Sequence, residues 1–338
     1  MAKNKTHIIY ATIIGFFVFC GICTAIEAIT SEDSGTDAAA RGDSIKAENA
    51  SASDSDGNLK EEEKDPMQEL DELIGLESVK AEVKSLANYI RVQKERERNG
   101  LKVPELSYHL VFTGNPGTGK TTVARILARI YRDLGVLKKG HLVETDRAGM
   151  IGQYVGQTAP IVNHMCDSAM GGVLFIDEAY ALTNAKNGKD YGDEAVATLL
   201  KRMEDDRGKF VVIVAGYTNE MKDFIEANPG LKSRFTRYLD FPDYSSASLY
   251  DIYMMRINKY GFKLTPDASA YLRQTLDNAV ATKDRNFGNA RYVRNLFENT
   301  VTAQADRLGA SGSKQYSAEQ LSVIEKGDIA KAKSMTKN

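Results

Sequence analysis

The chain has 338 residues, 42% hydrophobic and 27% charged, with a formal net charge of −2. That balance is ordinary for one or two globular domains with a sizeable core, and it gives no global basic excess to argue for nucleic acid. The four histidines, His7, His109, His141 and His164, never cluster at metal-ligand spacing, so no zinc-type site is expected.

The first landmark is IIYATIIGFFVFCGICTAI, residues 8–26, nineteen residues without a charge. As a helix it is just long enough to cross a bilayer core of roughly 30 Å. It is read as a single transmembrane helix within residues 1–29, either a retained anchor or a signal peptide cleaved near Ala25 and Ala28. Cys20 and Cys23 form a CxxC inside it, where both thiols face lipid or another helix, so the pair reads as apolar filler and not as a redox couple. Cys166 is the only other cysteine, and no disulfide framework is suggested.

Residues 27–65 carry twelve acidic and four basic residues among Ser, Ala and Gly, with almost no large apolar side chains. Such a stretch is expected to be disordered. Its 39 residues would span roughly 35 Å as a flexible coil, which makes residues 30–66 an acidic tether.

From Met67 onward short β-branched runs alternate with longer helical stretches, the pattern of an α/β domain. YHLVFTG (108–114), HLVETD (141–146), GVLFIDEA (172–179), FVVIVAGY (210–217) and RYLDF (237–241) read as strands of a buried parallel sheet. After Pro242 the pattern is wholly helical to about Leu308. The expected divisions are an α/β domain over 67–243, a small all-helical domain over 244–308, and a tail over 309–338. In that tail ASGSKQYSAEQ reads as a flexible break and LSVIEKGDIAKAKS as a short amphipathic helix of unknown partner.

Directly after the first strand, GNPGTGKT (114–121) fits GxxxxGK[ST] and opens the helical stretch TTVARILARIY. Glycines at 114, 117 and 119 let the loop wrap with its amides inward, so that backbone N–H groups and the helix N-terminus meet phosphates while Lys120 reaches the β and γ oxygens. Asn115, Pro116, Gly117, Thr118, Gly119, Lys120, Thr121 and Thr122 are the candidate nucleotide contacts, and Thr121 is expected to ligate Mg²⁺. VLFIDEAY places Asp177 at the carboxyl end of a strand, where open α/β sheets bind ligands; it is the second candidate for the magnesium shell. Glu178, one residue on, is placed to polarise the attacking water.

From about Leu70 to Leu308 the chain resembles an AAA+ ATPase of the CbbX and SpoVK branch, the red-type Rubisco activases and sporulation ATPases. The strings that carry the resemblance are LIGLESVKAEV, GNPGTGKTTVARILA, GQYVGQTAP, GGVLFIDEAYAL, DYGDEAV, VAGYTNEM, NPGLKSRF and NARYVRN. It implies a P-loop AAA+ sheet of five parallel strands flanked by helices, followed by a helical lid, acting with ATP and Mg²⁺ in a hexameric ring. It further implies that Ile74 and Gly75 pack on adenine and that Thr218 or Asn219 is a polar sensor near the γ-phosphate. Arg234 matches the finger presented to the neighbouring subunit's ATP, where a planar guanidinium suits the charge of a transferring phosphoryl group. Arg237 stands three residues later and can share that interface. Arg291 matches the lid sensor that reaches back to the nucleotide.

The same resemblance puts Tyr154 and Val155, between Gly152 and Gly156, in a loop facing the central pore, where an aromatic and an aliphatic side chain grip polypeptide without demanding a sequence. The loop 184–195, with Lys186, Lys189 and Tyr191, lines the same channel or is simply exposed. There is no H-E-x-x-H zinc-protease signature, so the chain is not expected to degrade what it pulls.

The resulting expectation is a membrane-tethered, hexameric ATPase that remodels or threads an unidentified protein substrate, with no nucleic acid partner. Lys3 and Lys5 ahead of the apolar run favour export of everything after it. The need for ATP favours the opposite topology, a single-pass protein with its ATPase domain in the cytosol, or else an ATP-containing organelle lumen. The alternatives are a non-threading P-loop switch or assembly factor, an ATP-binding scaffold without turnover and, third, a nucleic-acid motor.

Overall fold

A computed structural model describes residues 64–104, 107–183, 191–313 and 315–336. The apolar stretch 8–26, the acidic stretch up to residue 63, and Lys186 and Lys189 lie outside the described residues. Among those described, no helix is long and apolar enough to cross a membrane.

Helices α1 (Pro66–Glu72) and α2 (Glu77–Arg98) precede the sheet. Strands β1 (Leu110–Gly114), β2 (Leu142–Thr145), β3 (Val173–Ile176), β4 (Val211–Gly216) and β5 (Arg237–Phe241) then pair in parallel in the order β2-β3-β4-β1-β5. All five coincide with the runs expected from the sequence. The three central strands β1, β3 and β4 are buried from end to end, which is why they read as unbroken apolar runs. Edge strand β5 alternates exposed and buried positions towards its end.

Because side chains alternate along a strand, the sheet divides its apolar residues between two cores. Phe112, Phe175 and Ile213 join one core with α2 and α3 (Lys120–Asp133). Val111, Leu174 and Val212 join the other, closed by α5 (Thr158–Ser168), α6 (Gly192–Asp205), α7 (Thr218–Glu226) and α8 (Pro229–Arg234). A short helix, α4 (Arg147–Met150), begins the β2 to α5 connection, with Asp146 accepting from the Gly149 amide. Parallel pairing brings the carboxyl ends of β1, β3 and β4 to one edge, so the segments after them share one crevice.

The lid begins with α9 (Ser246–Lys259), capped by Ser245, and α10 (Pro266–Ala281), capped by Thr265 with proline at its first position. Helix α11 (Ala290–Ala310) packs on both the lid core and the final segment. That final segment corrects the expectation of an all-helical lid ending near residue 308 with a loose tail. Strand β6 (Lys263–Leu264) pairs in parallel with β7 (Val323–Ile324), which follows α12 (Ala318–Ser322). Helix α13 (Lys326–Met335) lies against α10 and α11 and buries Ile329 and Ala332. Arg307 donates to both oxygens of the buried Asp328 at 2.8 and 2.9 Å, fixing the start of α13 to α11. The amphipathic helix therefore has a partner: the lid itself.

Candidate functional site

The turn between β1 and α3 is a phosphate-sized cradle. Helix α3 starts at Lys120 behind Gly119 without a side-chain cap, which leaves its first amides free to face a ligand. Pro116, Gly117, Gly119, Lys120, Thr121 and Thr122 line a cavity of about 460 Å³. Lys120 folds back over the loop, its Nζ donating to the carbonyls of Gly114 at 2.7 Å and Asn115 at 2.8 Å. Burial, with Arg291 adding to it, holds its ammonium below the ordinary lysine value against the pull of Asp177 and Glu178. An arriving anion supplies the counter-charge that burial lacks.

Opposite the loop, Asp177 and Glu178 leave the carboxyl end of β3 and line the same cavity. Asp177 Oδ1 accepts the Glu178 amide at 3.0 Å, which orients its carboxylate. Glu178 adopts a left-handed backbone, φ 48° and ψ 42°, which costs a residue with a Cβ about 1–2 kcal/mol. The 3-10 turn Ala179–Leu182 follows at once, and the strained corner turns the glutamate out of the strand. Gly216 and Tyr217, at the end of β4, complete this side.

The lid closes the third side. Ala290, Arg291 and Arg294 from α11 and Arg256 from α9 line the cavity. Gly117 lies so close to the lid that a Cβ there would sit 2.1 Å from the Gly288 carbonyl, so only glycine fits, and its own carbonyl accepts from the Ala290 amide at 3.1 Å. Beside it, the fully buried Asn289 donates to Asp243 Oδ1 at 2.8 Å and to the Pro116 carbonyl at 3.3 Å, and accepts from the Tyr244 amide at 3.0 Å. Asp243 also accepts from Asn115 at 2.9 Å and Lys283 at 2.6 Å. Burial pushes the Asp243 carboxyl up, but the hydrogen bonds from Lys283, Asn289 and Asn115 outweigh it and hold the group below its ordinary value. The P-loop and the lid are thus one hydrogen-bonded unit.

Comparison with known proteins agrees with this geometry. Residues 110–243 match the model of the ATPase family associated with various cellular activities (AAA), and residues 245–338 match the AAA lid domain. Stage V sporulation protein K of Bacillus subtilis (strain 168) is 42% identical over 276 residues, covering 81% of this chain and 83% of the relative. The chain belongs to the AAA ATPase family. Protein CbbX of Cereibacter sphaeroides is 42% identical over 79% of this chain and 86% of its own length. The chloroplastic ribulose bisphosphate carboxylase/oxygenase activase of Cyanidioschyzon merolae is 41% identical, with coverages of 78% and 89%.

As an AAA ATPase the chain binds and hydrolyses ATP, and the structure sorts the residues expected to take part. Lys120, Thr121, Thr122, Asp177, Glu178 and Arg291 meet in one cavity. Asn115 and Thr118 shape the loop from outside that lining: Asn115 holds Asp243, and the buried Thr118 donates to the Asn115 carbonyl at 2.8 Å. Ile74 packs against the core, and Gly75 faces the Tyr244 ring. Thr218 and Asn219 begin α7 exposed and do not line the cavity; Gly216 and Tyr217 do.

Arg234 of this AAA ATPase does not line the cavity that holds Lys120, Asp177 and Glu178. It lines a different one, with His109, Glu204 and Arg207, where it pairs with Glu204 at 3.0 Å. Arg237 lies elsewhere, its guanidinium 5.3 Å from the Tyr89 ring centre. Tyr154 and Val155 are 69% and 83% exposed in the β2 to α5 connection. The loop is held at its base, with Gly152 donating to Thr158 Oγ1 at 3.2 Å and Tyr154 to Gln157 Oε1 at 3.2 Å.

Residues the sequence did not single out are Gly216, Tyr217, Arg256 and Arg294 in the cavity and Asp243 and Asn289 at its back. Arg294 stands one turn after Arg291 in NARYVRN and was reachable from helical spacing. Gly216 and Tyr217 stand in VAGYTNEM and Asn289 opens NARYVRN, whereas nothing local marks Arg256 or Asp243.

Proposed function

We propose that the chain works in a hexameric ring, each protomer hydrolysing MgATP to move a pore loop that pulls on a protein substrate. In this reading ATP lies on the loop 114–121 with its terminal phosphates towards Asp177 and Glu178. Mg²⁺, held by Thr121 and Asp177, would neutralise the β and γ oxygens; both side chains are oxygen donors lining one cavity, as a hard cation requires. Glu178 orients a water whose oxygen attacks the γ-phosphorus while the bond to the β-phosphate bridging oxygen breaks, giving ADP and phosphate. The water's proton passes to the Glu178 carboxylate. Arg291 senses the phosphates from the lid, and the Asn289 and Asp243 contacts carry the change between loop and lid.

Arg234 acts in trans: it lies outside its own nucleotide cavity, and a neighbour brings it to the next protomer's γ-phosphate. Ile74 and Gly75 receive the adenine, and Thr218 or Asn219 serves as sensor from the start of α7. The apolar segment 8–26 inserts in a membrane with the ATPase in the cytosol, and the acidic stretch after it sets the ring off that surface. The relative named as a Rubisco activase supports action on a protein client; the anchor favours a client near the membrane over Rubisco.

The observation that carries the pulling role is the exposure of Tyr154 and Val155 on a loop whose base is fixed, since a large apolar pair held out in solvent suits contact with another chain. Tyr154→Ala tests it. The variant is expected to keep its fold and its ATP turnover and to lose remodelling of substrate captured on the Glu178→Gln ring. Full remodelling by Tyr154→Ala would remove the threading role.

A further inference from the structure

Arg256 stands on α9, the first helix of the lid, and lines the same cavity as Lys120, Thr121, Asp177, Glu178 and Arg291. Its Nε is buried without a hydrogen-bond partner, and no carboxylate pairs with it among the described residues. A guanidinium nitrogen removed from water without a partner is costly, and no carboxylate among the described residues is paired with the charge that Arg256 brings to the cavity. Its forked donors match phosphate oxygens better than any other anion a nucleotide offers.

The composition of the cavity says which part of the nucleotide that is. Its walls are the P-loop, the two carboxylates after β3 and the end of β4, while Ile74, Gly75 and Tyr244 are not among the lining residues. This is the polyphosphate end. Four cations, Lys120, Arg256, Arg291 and Arg294, face two carboxylates there, a positive excess that complements a triphosphate better than a diphosphate. Lys120 is bonded to its own loop, and Arg294 has Glu298 at 3.9 Å. Arg256 combines an unpartnered buried nitrogen with a place on a helix other than that of Arg291.

We infer that Arg256 is a second lid guanidinium for the terminal phosphates of ATP, so that the lid distinguishes triphosphate from diphosphate through α9 as well as α11. The inference rests on ATP occupying this cavity. The test is titration of fluorescent ATP and ADP analogues into the full chain carrying Glu178→Gln, with Arg256→Ala, Arg256→Gln and Arg256→Lys added singly. The Ala and Gln variants are expected to weaken ATP about tenfold or more, to weaken ADP several-fold less, and to melt no lower than the parent without nucleotide. Arg256→Lys, keeping charge without the fork, falls between. Arg256→Gln keeps length and polarity should the alanine variant not fold. Parent-like affinity in Arg256→Gln, or equal loss for ATP and ADP, overturns the inference. Lys120→Ala in the same titration separates the two levels: if it loses ATP while Arg256→Gln does not, only the role of Arg256 fails, and if it too binds normally, the placement of ATP fails with it.

Discussion

Asn289 and Asp243 share a 2.8 Å hydrogen bond that links the first residue before α11 to the segment leaving β5, directly behind the P-loop. Asn289 holds φ at 47° and ψ at −122°, a conformation unfavourable for a residue with a Cβ, while its amide satisfies three groups from distant parts of the chain. Strain at a buried polar node persists because the node joins the two domains. Asn289→Ala should destabilise the chain by about 2–3 kcal/mol, since it removes one of the three side-chain donors to Asp243 and the side-chain partner of the Tyr244 amide and the Pro116 carbonyl without relaxing the backbone. Asn289→Gly should recover part of that by relieving φ. Denaturant midpoints compare the two, and equal stability of Ala and wild type would remove the node's structural importance.

The last helix supplies a second prediction. Ile329 is fully buried between α13 and the lid, so Ile329→Ala should cost about 2–5 kcal/mol. A freely hanging amphipathic tail would give a change within about 0.5 kcal/mol. Thermal melting of the two chains decides between them.

A third concerns pH. Burial, with Arg234 and Arg207 nearby, lowers the His109 imidazole from 6.5 to about 4, and its Nδ1 accepts the Val212 amide at 2.9 Å. The folded state thus holds His109 neutral where the unfolded chain would protonate it. Its contribution is fully present above about pH 6.5 and is lost as pH falls from there to about 4, a total on the order of 3 kcal/mol. His109→Asn, whose Oδ1 can take the place of Nδ1, should flatten the pH dependence of unfolding free energy over that window. An unchanged slope would show that other groups carry it.

The sequence displayed what is local and periodic. The five strands were legible because burial on both faces leaves continuous apolar runs, and the P-loop because its glycines and Lys120 must fall at fixed spacing. Of the lid tail the last helix was legible but not its place: a two-residue pairing such as β6 with β7 has too few positions for a strand period, and α13 finds its partner only in three dimensions. Asn289 was hidden for the same reason: its partner carbonyl at Pro116 is 173 residues away. Arg256 sits in the last turn of α9, where a basic residue reads as solvated surface beside the helix C-terminus. Thr218 and Asn219 directly follow Tyr217 at the start of α7, and of this segment it is Gly216 and Tyr217 that line the cavity, because β4 ends at Gly216.

The central claim is that each ATP site is finished by Arg234 of a neighbouring protomer. The most direct measurement is ATP turnover by Lys120→Ala, by Arg234→Ala, and by their equimolar mixture, each over a range of protein concentration. The account predicts that each variant alone is nearly inactive and that the mixture regains turnover that rises with concentration, because the Lys120→Ala chain still lends its arginine to the intact loop of the other. Arg234→Ala hydrolysing ATP at the wild-type rate, independently of concentration, would contradict it.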